Sequence, residues 1–149
     1  MKIIGLATDH AGFELKEFVK DLFDSKEGYT VRDFGTHSTV SVDYPDFAHP
    51  LAEAVETGEV DLGIAFCGSG NGIGMTLNKH QGIRAAICWN IEMARLTRSH
   101  NNANILVLPA RFISEADAEN MIDMFLTTPF SGGRHQQRID KMPIKKTNC

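Results

Sequence analysis

Cys67 closes a short apolar run, Leu62–Phe66, and is followed at once by glycines at 68, 70, 72 and 74, with Ser69 and Asn71 between them. A run this short and apolar fits a strand buried on both faces. Glycines this dense let the backbone turn sharply and aim its N–H groups at a ligand. From Gly74 the pattern becomes helical. A strand, a glycine loop and a helix N-terminus make an anion site, because free N–H groups and the helix dipole point the same way. Here a thiol stands at its lip. Taken alone, Cys67 also fits a small core residue, and the glycines a tight turn.

Two familiar glycine loops are excluded. G-x-G-x-x-G would need glycine where Ile73 or Met75 stands, and no Gly-Lys pair follows the loop. The expected ligand of such a loop is therefore a small anionic group, not a nucleotide.

Other polar residues gather at turns. Asp9-His10 follows the apolar run Ile3–Ala7, where Asp9 either caps the next helix or faces a ligand. His100 lies in an Asn-rich turn with Asn101 and Asn104, and a histidine there is solvated or moves a proton near neutral pH. Arg134 and Arg138 stand at i and i+4 behind Gly132-Gly133. On a helix they share a face, either as a solvated basic patch or as a phosphate clamp. Arg111 is a weaker candidate for the same role. The six histidines are scattered without metal-ligand spacing, and G-x-S-x-G is absent around Ser69. No metal site and no serine triad is expected. A thiol, an imidazole, an amide cradle and a two-arginine clamp suggest proton transfer on a phosphorylated substrate. A helix N-terminus favours the thiolate form of a cysteine, which can act as base, and loop amides can hold an enediolate.

The elements that position these groups alternate. Strands are expected at Ile3–Ala7, Tyr29–Phe34, Leu62–Phe66, Arg84–Trp89 and Ile105–Leu108. Helices are expected from Phe13, ended by Gly28, from Asp43-Tyr44-Pro45-Asp46 to Gly58, after the glycine loop, over Ile91–Ser99, from Ser114 to Leu126 and over Arg134–Lys141. Phe47, Leu51, Ala54 and Val55 form the expected inward face of the second helix. This alternation predicts a three-layer α/β/α sandwich with a five-stranded, mainly parallel, Rossmann-like sheet. Ligands of such sheets sit beyond the carboxyl ends of the strands, where Asp9-His10, Cys67–Gly74 and Arg111 all fall.

The 149 residues suit a single domain, 1–149, with about 142–149 a flexible basic tail. A composition 42% hydrophobic and 23% charged is that of a soluble protein, and the net charge of −4 argues against general nucleic-acid binding. No apolar stretch approaches a membrane helix, and no cleavage-site pattern follows the N-terminus. Three cysteines without C-x-x-C spacing suit free thiols and a cytoplasmic location.

The ordered segments Asp9-His10-Ala11-Gly12, Asp43-Tyr44-Pro45, Cys67–Gly72, Asn78-Lys79, Gly82–Ala85, Ser99–Asn104 and Gly132–Arg138 together resemble the type B ribose-5-phosphate isomerases. That family also holds allose-6-phosphate and galactose-6-phosphate isomerases. The resemblance spans Met1 to about Asp140. It implies a cofactor-free aldose–ketose isomerase of the pentose phosphate pathway, working through a cis-enediol, with a five-stranded α/β/α fold. It implies that His100 opens the sugar ring while Asp9 holds ring hydroxyls. Cys67 would move the proton between C2 and C1, and Ser69 would assist between O1 and O2. Gly68, Gly70, Asn71 and Gly72 would lend the anion hole. His10, Arg134 and Arg138, with Arg111, would hold phosphate, while Tyr44 and Asn101 line the sugar. It further implies a homodimer, in some members paired into tetramers, with thiol and imidazole from different subunits. Another branch uses a glutamate in the glycine loop. Ile73 stands at that position here, which puts the chain in the cysteine branch. Ser69 replaces the Thr of many members and keeps the hydroxyl.

Two other classes fit the chain less well. A phosphoacceptor signalling domain would need an acidic pair after the first strand, an Asp ending the third and a Lys ending the fifth, and the chain has none of these. A sugar-phosphate sensor without catalysis is disfavoured by Cys67, Ser69 and His100 together. A six-carbon sugar phosphate remains open as substrate.

Overall fold

A computed structural model describes residues 1–145. Five strands form one sheet: β1 (Lys2–Thr8), β2 (Tyr29–Asp33), β3 (Leu62–Cys67), β4 (Ala85–Ile87) and β5 (Ile105–Pro109). Their order is β2-β1-β3-β5-β4, and every neighbouring pair is parallel. The connections are α1 (Phe13–Phe23), α2 (Pro45–Thr57), α3 (Asn71–Leu77) and α4 (Ile91–Ser99), with α5 (Glu115–Thr127) and α6 (Arg134–Ile139) after β5.

The period of two along each strand sorts side chains into two cores. Ile4 and Leu6 of β1, Ile64 and Phe66 of β3, and Leu106 and Leu108 of β5 meet α1, α4 and α5 on one face. Ala7, Ala65, Cys67, Ile105 and Val107 meet α2 and α3 on the other. The three-layer sandwich expected from the alternation is present. The second face is built of smaller residues for a reason. Leu51 of α2 packs so close that a Cβ at Gly63 would sit 3.2 Å from its Cδ1. Small residues on the strands let that helix approach.

β1 feeds α1 on one face and β3 feeds α3 on the other, while the two strands pair directly. Between their carboxyl ends the connections diverge and leave a crevice. Asp9-His10 and Gly68–Gly70 follow directly on these strand ends, and Cys67 itself closes β3 at the margin of the second core.

Several boundaries differ from expectation. α3 begins at Asn71 rather than Gly74, because the turn is completed within Gly68–Gly70, where Gly70 adopts φ 78°. β4 is three residues long, not six: Arg84 turns its guanidinium to neighbouring carbonyls, and Trp89 lies exposed. α6 ends at Ile139 instead of Lys141. Of the expected flexible tail, Ile144 exchanges hydrogen bonds with the Gln81 amide, and residues 146–149 lie outside the described residues. Among the described residues no helix is long and apolar enough to cross a membrane.

Candidate active site

The carboxyl edge of the sheet collects one group of candidates. Cys67 is 4% exposed, and its Sγ accepts a hydrogen bond from the Gly70 N–H at 3.1 Å. Gly70 can turn its amide back this way only from the left-handed region it occupies. An N–H aimed at sulfur stabilises a negative charge there. The next amides open α3, whose first-turn N–H groups have no intrahelical acceptor. Ser69 is exposed, and its Oγ accepts the Asn71 N–H at 3.2 Å, leaving its own hydrogen free to donate. Cys88 is the contrasting thiol: burial among apolar side chains pushes it up to about 12 and leaves it a core residue.

Tyr44 and Arg111 flank the loop. A Cβ at Gly72 would lie 2.8 Å from the Tyr44 hydroxyl, and one at Gly68 would lie 3.1 Å from Arg111 Nη1. Both glycines are therefore where large side chains rest directly on backbone. Arg111 is anchored by its own N–H to the Gly68 carbonyl at 3.0 Å. Tyr44 also borders a cleft of about 550 Å³ with Asp9, His10 and Ser41 to Asp46. Asp9 does cap the turn after β1: its Oδ1 accepts from Ala11 and Gly12 at 3.0 and 3.3 Å. Its second oxygen has no protein partner among these bonds. His10 Nδ1 accepts the Val42 N–H at 3.1 Å, so the neutral ring carries its hydrogen on Nε2. That leaves a donor for a ligand oxygen.

The remaining candidates stand at the opposite edge. His100 ends α4, which runs antiparallel to the strands, and Asn104 four residues later accepts from Gly63 at the start of β3. Ser131 donates to the Ser99 carbonyl, which brings α6 alongside. There the His135 ring stacks on His100, centroids 4.3 Å apart and planes 12° from parallel. Desolvation, then His100, Arg134 and Arg138, hold the His135 imidazole below the usual histidine range. Arg134 and Arg138 lie on the same short helix, both exposed. Asn101 is exposed beside a cavity of about 380 Å³ bordered by Arg84 and Ile139.

Within one chain the structure thus joins Asp9, His10, Tyr44, the Cys67 loop and Arg111, and separately His100, Asn101, Arg134 and Arg138. It does not bring the two sets together. Asn104 of the Asn-rich turn fastens the chain: its side chain binds Arg84 N–H and the Gly82 carbonyl. His135 was missed in the sequence. A histidine between two arginines gave the signal, but its partner is 35 residues away and only folding stacks them. Among the described residues no group of three or more His, Cys, Asp or Glu is arranged to hold a metal ion.

The sequence model of the family described as Ribose/Galactose Isomerase matches residues 4–142. The chain is 43% identical over 141 residues to ribose-5-phosphate isomerase B of Escherichia coli, covering 94% of this chain and 93% of that one. It superimposes on a ribose 5-phosphate isomerase from Thermotoga maritima with a TM-score of 0.93 and 51% identity, covering 95% and 97% of the two chains. Ribose-5-phosphate isomerase B from Mycoplasma genitalium, solved with bound ribulose-5-phosphate, gives a TM-score of 0.88 at 40% identity, covering 94% and 93%.

Proposed function

From the premise that the chain belongs to the ribose/galactose isomerase family, we propose that it interconverts ribose 5-phosphate and ribulose 5-phosphate through a cis-enediolate, as one catalytic domain spanning the chain. The observation that carries this reading is the Gly70 N–H directed at Cys67 Sγ beside the first-turn amides of α3. It supports a thiolate next to a place for developing oxyanion charge.

The sequence of events follows from the groups. The ring form is opened by His100, which moves a proton from O1 to the ring oxygen as the C1–O4 bond breaks. Asp9 accepts hydrogen bonds from sugar hydroxyls through its free oxygen. The Cys67 thiolate removes the C2 proton, the electron pair forms the C1–C2 double bond, and O1 becomes an oxyanion held by the amides of Gly68–Gly72. Ser69 relays the proton from O2 to O1. The thiol then returns its proton to C1, and C2 becomes the carbonyl. His10 donates to phosphate through Nε2, Arg134 and Arg138 clamp it, and Arg111 adds charge. Tyr44 and Asn101 line the carbon chain. Because the two sets of groups lie at opposite edges, the reading includes a homodimer in which each site draws on both subunits.

The family description names galactose, which favours a six-carbon sugar phosphate as the second reading. Steady-state rates on ribose 5-phosphate, allose 6-phosphate and galactose 6-phosphate, measured side by side, test the choice. The highest kcat/KM is expected on ribose 5-phosphate, and a higher value on either hexose phosphate reverses the assignment.

A further inference from the structure

The turn that carries His100 is held in an unusual way. Arg84 Nε donates to the carbonyls of Asn101 at 3.1 Å and Asn102 at 3.2 Å, and its Nη2 donates to Asn102 at 2.9 Å. From the other side Arg98 Nη1 reaches Asn102 Oδ1 at 3.0 Å and the Ala103 carbonyl at 2.5 Å. Asn102 sits at φ 45°, a left-handed conformation that a free chain visits rarely at a non-glycine residue. Three consecutive residues after His100 are thus gripped by two guanidinium groups.

The acceptors are carbonyl and amide oxygens. Neither arginine has a carboxylate within ion-pairing distance among the described residues, and the Arg98 Nε is buried without a partner. Burial pushes both below the usual arginine range, and for Arg98 the nearness of Arg84 adds to the effect. The Phe125 ring lies 5.5 Å from the Arg98 guanidinium carbon and limits where it can swing. Two half-buried like charges are a costly way to close a turn. A planar fork nevertheless fixes two carbonyls at once, which a lysine does not.

We propose that Arg84 and Arg98 are positioning residues for sugar-ring opening: they lock the Asn101–Ala103 backbone and thereby fix the direction in which His100 presents its ring. This rests on the role given to His100 above. Neither arginine touches substrate. Both act through the turn.

The test uses Arg84→Lys and Arg98→Lys, which keep the charge and remove the fork. Two reactions are compared in the full-length enzyme. One is turnover of ribose 5-phosphate, which enters as a ring. The other is exchange of the C1 hydrogen of ribulose 5-phosphate with solvent deuterium, which starts from an open chain. A displaced His100 lowers the first kcat about tenfold, leaves KM within about twofold, and leaves the exchange rate within about twofold. Equal losses in both reactions reduce the arginines to general structural groups and overturn the proposal, as does no loss in either. Asn102→Gly supplies a variant whose backbone accepts the same φ but which lacks the Arg98 acceptor, and it is expected to show the same selectivity at smaller amplitude. His100→Asn in the same two assays separates the layers. If it leaves the ratio of the two rates unchanged, the ring-opening role itself falls and the proposal with it. If it shifts the ratio while the arginine and Asn102 variants do not, only the present proposal falls.

Discussion

The two edges of the sheet are made by different means. At the carboxyl edge the working parts are main-chain amides, a thiol and one hydroxyl within six consecutive residues, Cys67–Gly72. Tyr44 and Arg111 press on glycines there. At the amino edge the parts are long side chains and stacked imidazoles at the end of α4 and on α6, drawn together by the Ser131–Ser99 bond, with two arginines holding the turn that follows His100. The first edge is rigid because backbone geometry dictates it. The second depends on contacts between residues far apart in sequence. Parallel pairing puts Gly63 beside Ile105 and Cys67 beside Pro109, so the edges are separated by about 13 Å of strand. The difference teaches that one edge is suited to stabilising charge and the other to gripping an anionic ligand, which is the division the proposed homodimer rests on.

The largest effect is expected at the thiol. Cys67→Ala removes the proposed base and is expected to lower turnover about 10²- to 10⁴-fold, while calorimetry still detects ribose 5-phosphate binding. Turnover close to wild type would make Cys67 a core residue and leave the carboxyl edge a turn. Next comes complementation between the edges. Mixed and re-equilibrated Cys67→Ala and His100→Asn proteins are expected to recover about a quarter of wild-type activity. Half of random dimers are mixed, and a two-fold interface gives each mixed dimer one intact site. Absence of recovery would mean that the edges do not cooperate across subunits.

The clamp is expected to be felt less. Arg134→Ala or Arg138→Ala removes a charge-assisted contact worth about 1.5–3 kcal/mol, so KM for ribose 5-phosphate should rise about tenfold or more with a smaller change in kcat. A fall in kcat at constant KM would place the pair in the chemical step and erase the division of labour between the edges.

How much was legible in the sequence follows the same division. Strand-loop-helix order, the glycine loop after β3 and the gathering of Asp9-His10 and Cys67 at one edge of the sheet were all readable, because period-two burial and glycine spacing are local. The start of α3 was misjudged because glycine runs hide whether one residue or four make the turn. Here Gly68–Gly70 make it, with Gly70 in the left-handed region. The short β4 was overextended because Cys88 and Trp89 continue an apolar pattern, though Cys88 points into the core and Trp89 into solvent. The amino edge was legible only as candidate residues, since nothing local ties His100 to His135 or Arg84 to Asn102. The likeness to a known family supplied roles there that spacing alone left open.

The smallest expected effect sharpens the amino edge through pH. Desolvation beside His100 and the two clamp arginines hold the His135 imidazole below its ordinary 6.5. An unfolded chain lacks those neighbours and binds the proton more readily. The contribution to stability is therefore present above the ordinary value and declines as pH falls through it toward the depressed folded value. His135→Phe keeps an aromatic face against His100 and removes the titration. Urea midpoints at several pH values from about 7.5 to 5 are expected to fall less steeply for the variant than for the wild type. Parallel curves would mean that the stacked ring is as free to take a proton as in the unfolded chain. The amino edge would then be a loosely solvated surface rather than a desolvated stack of rings.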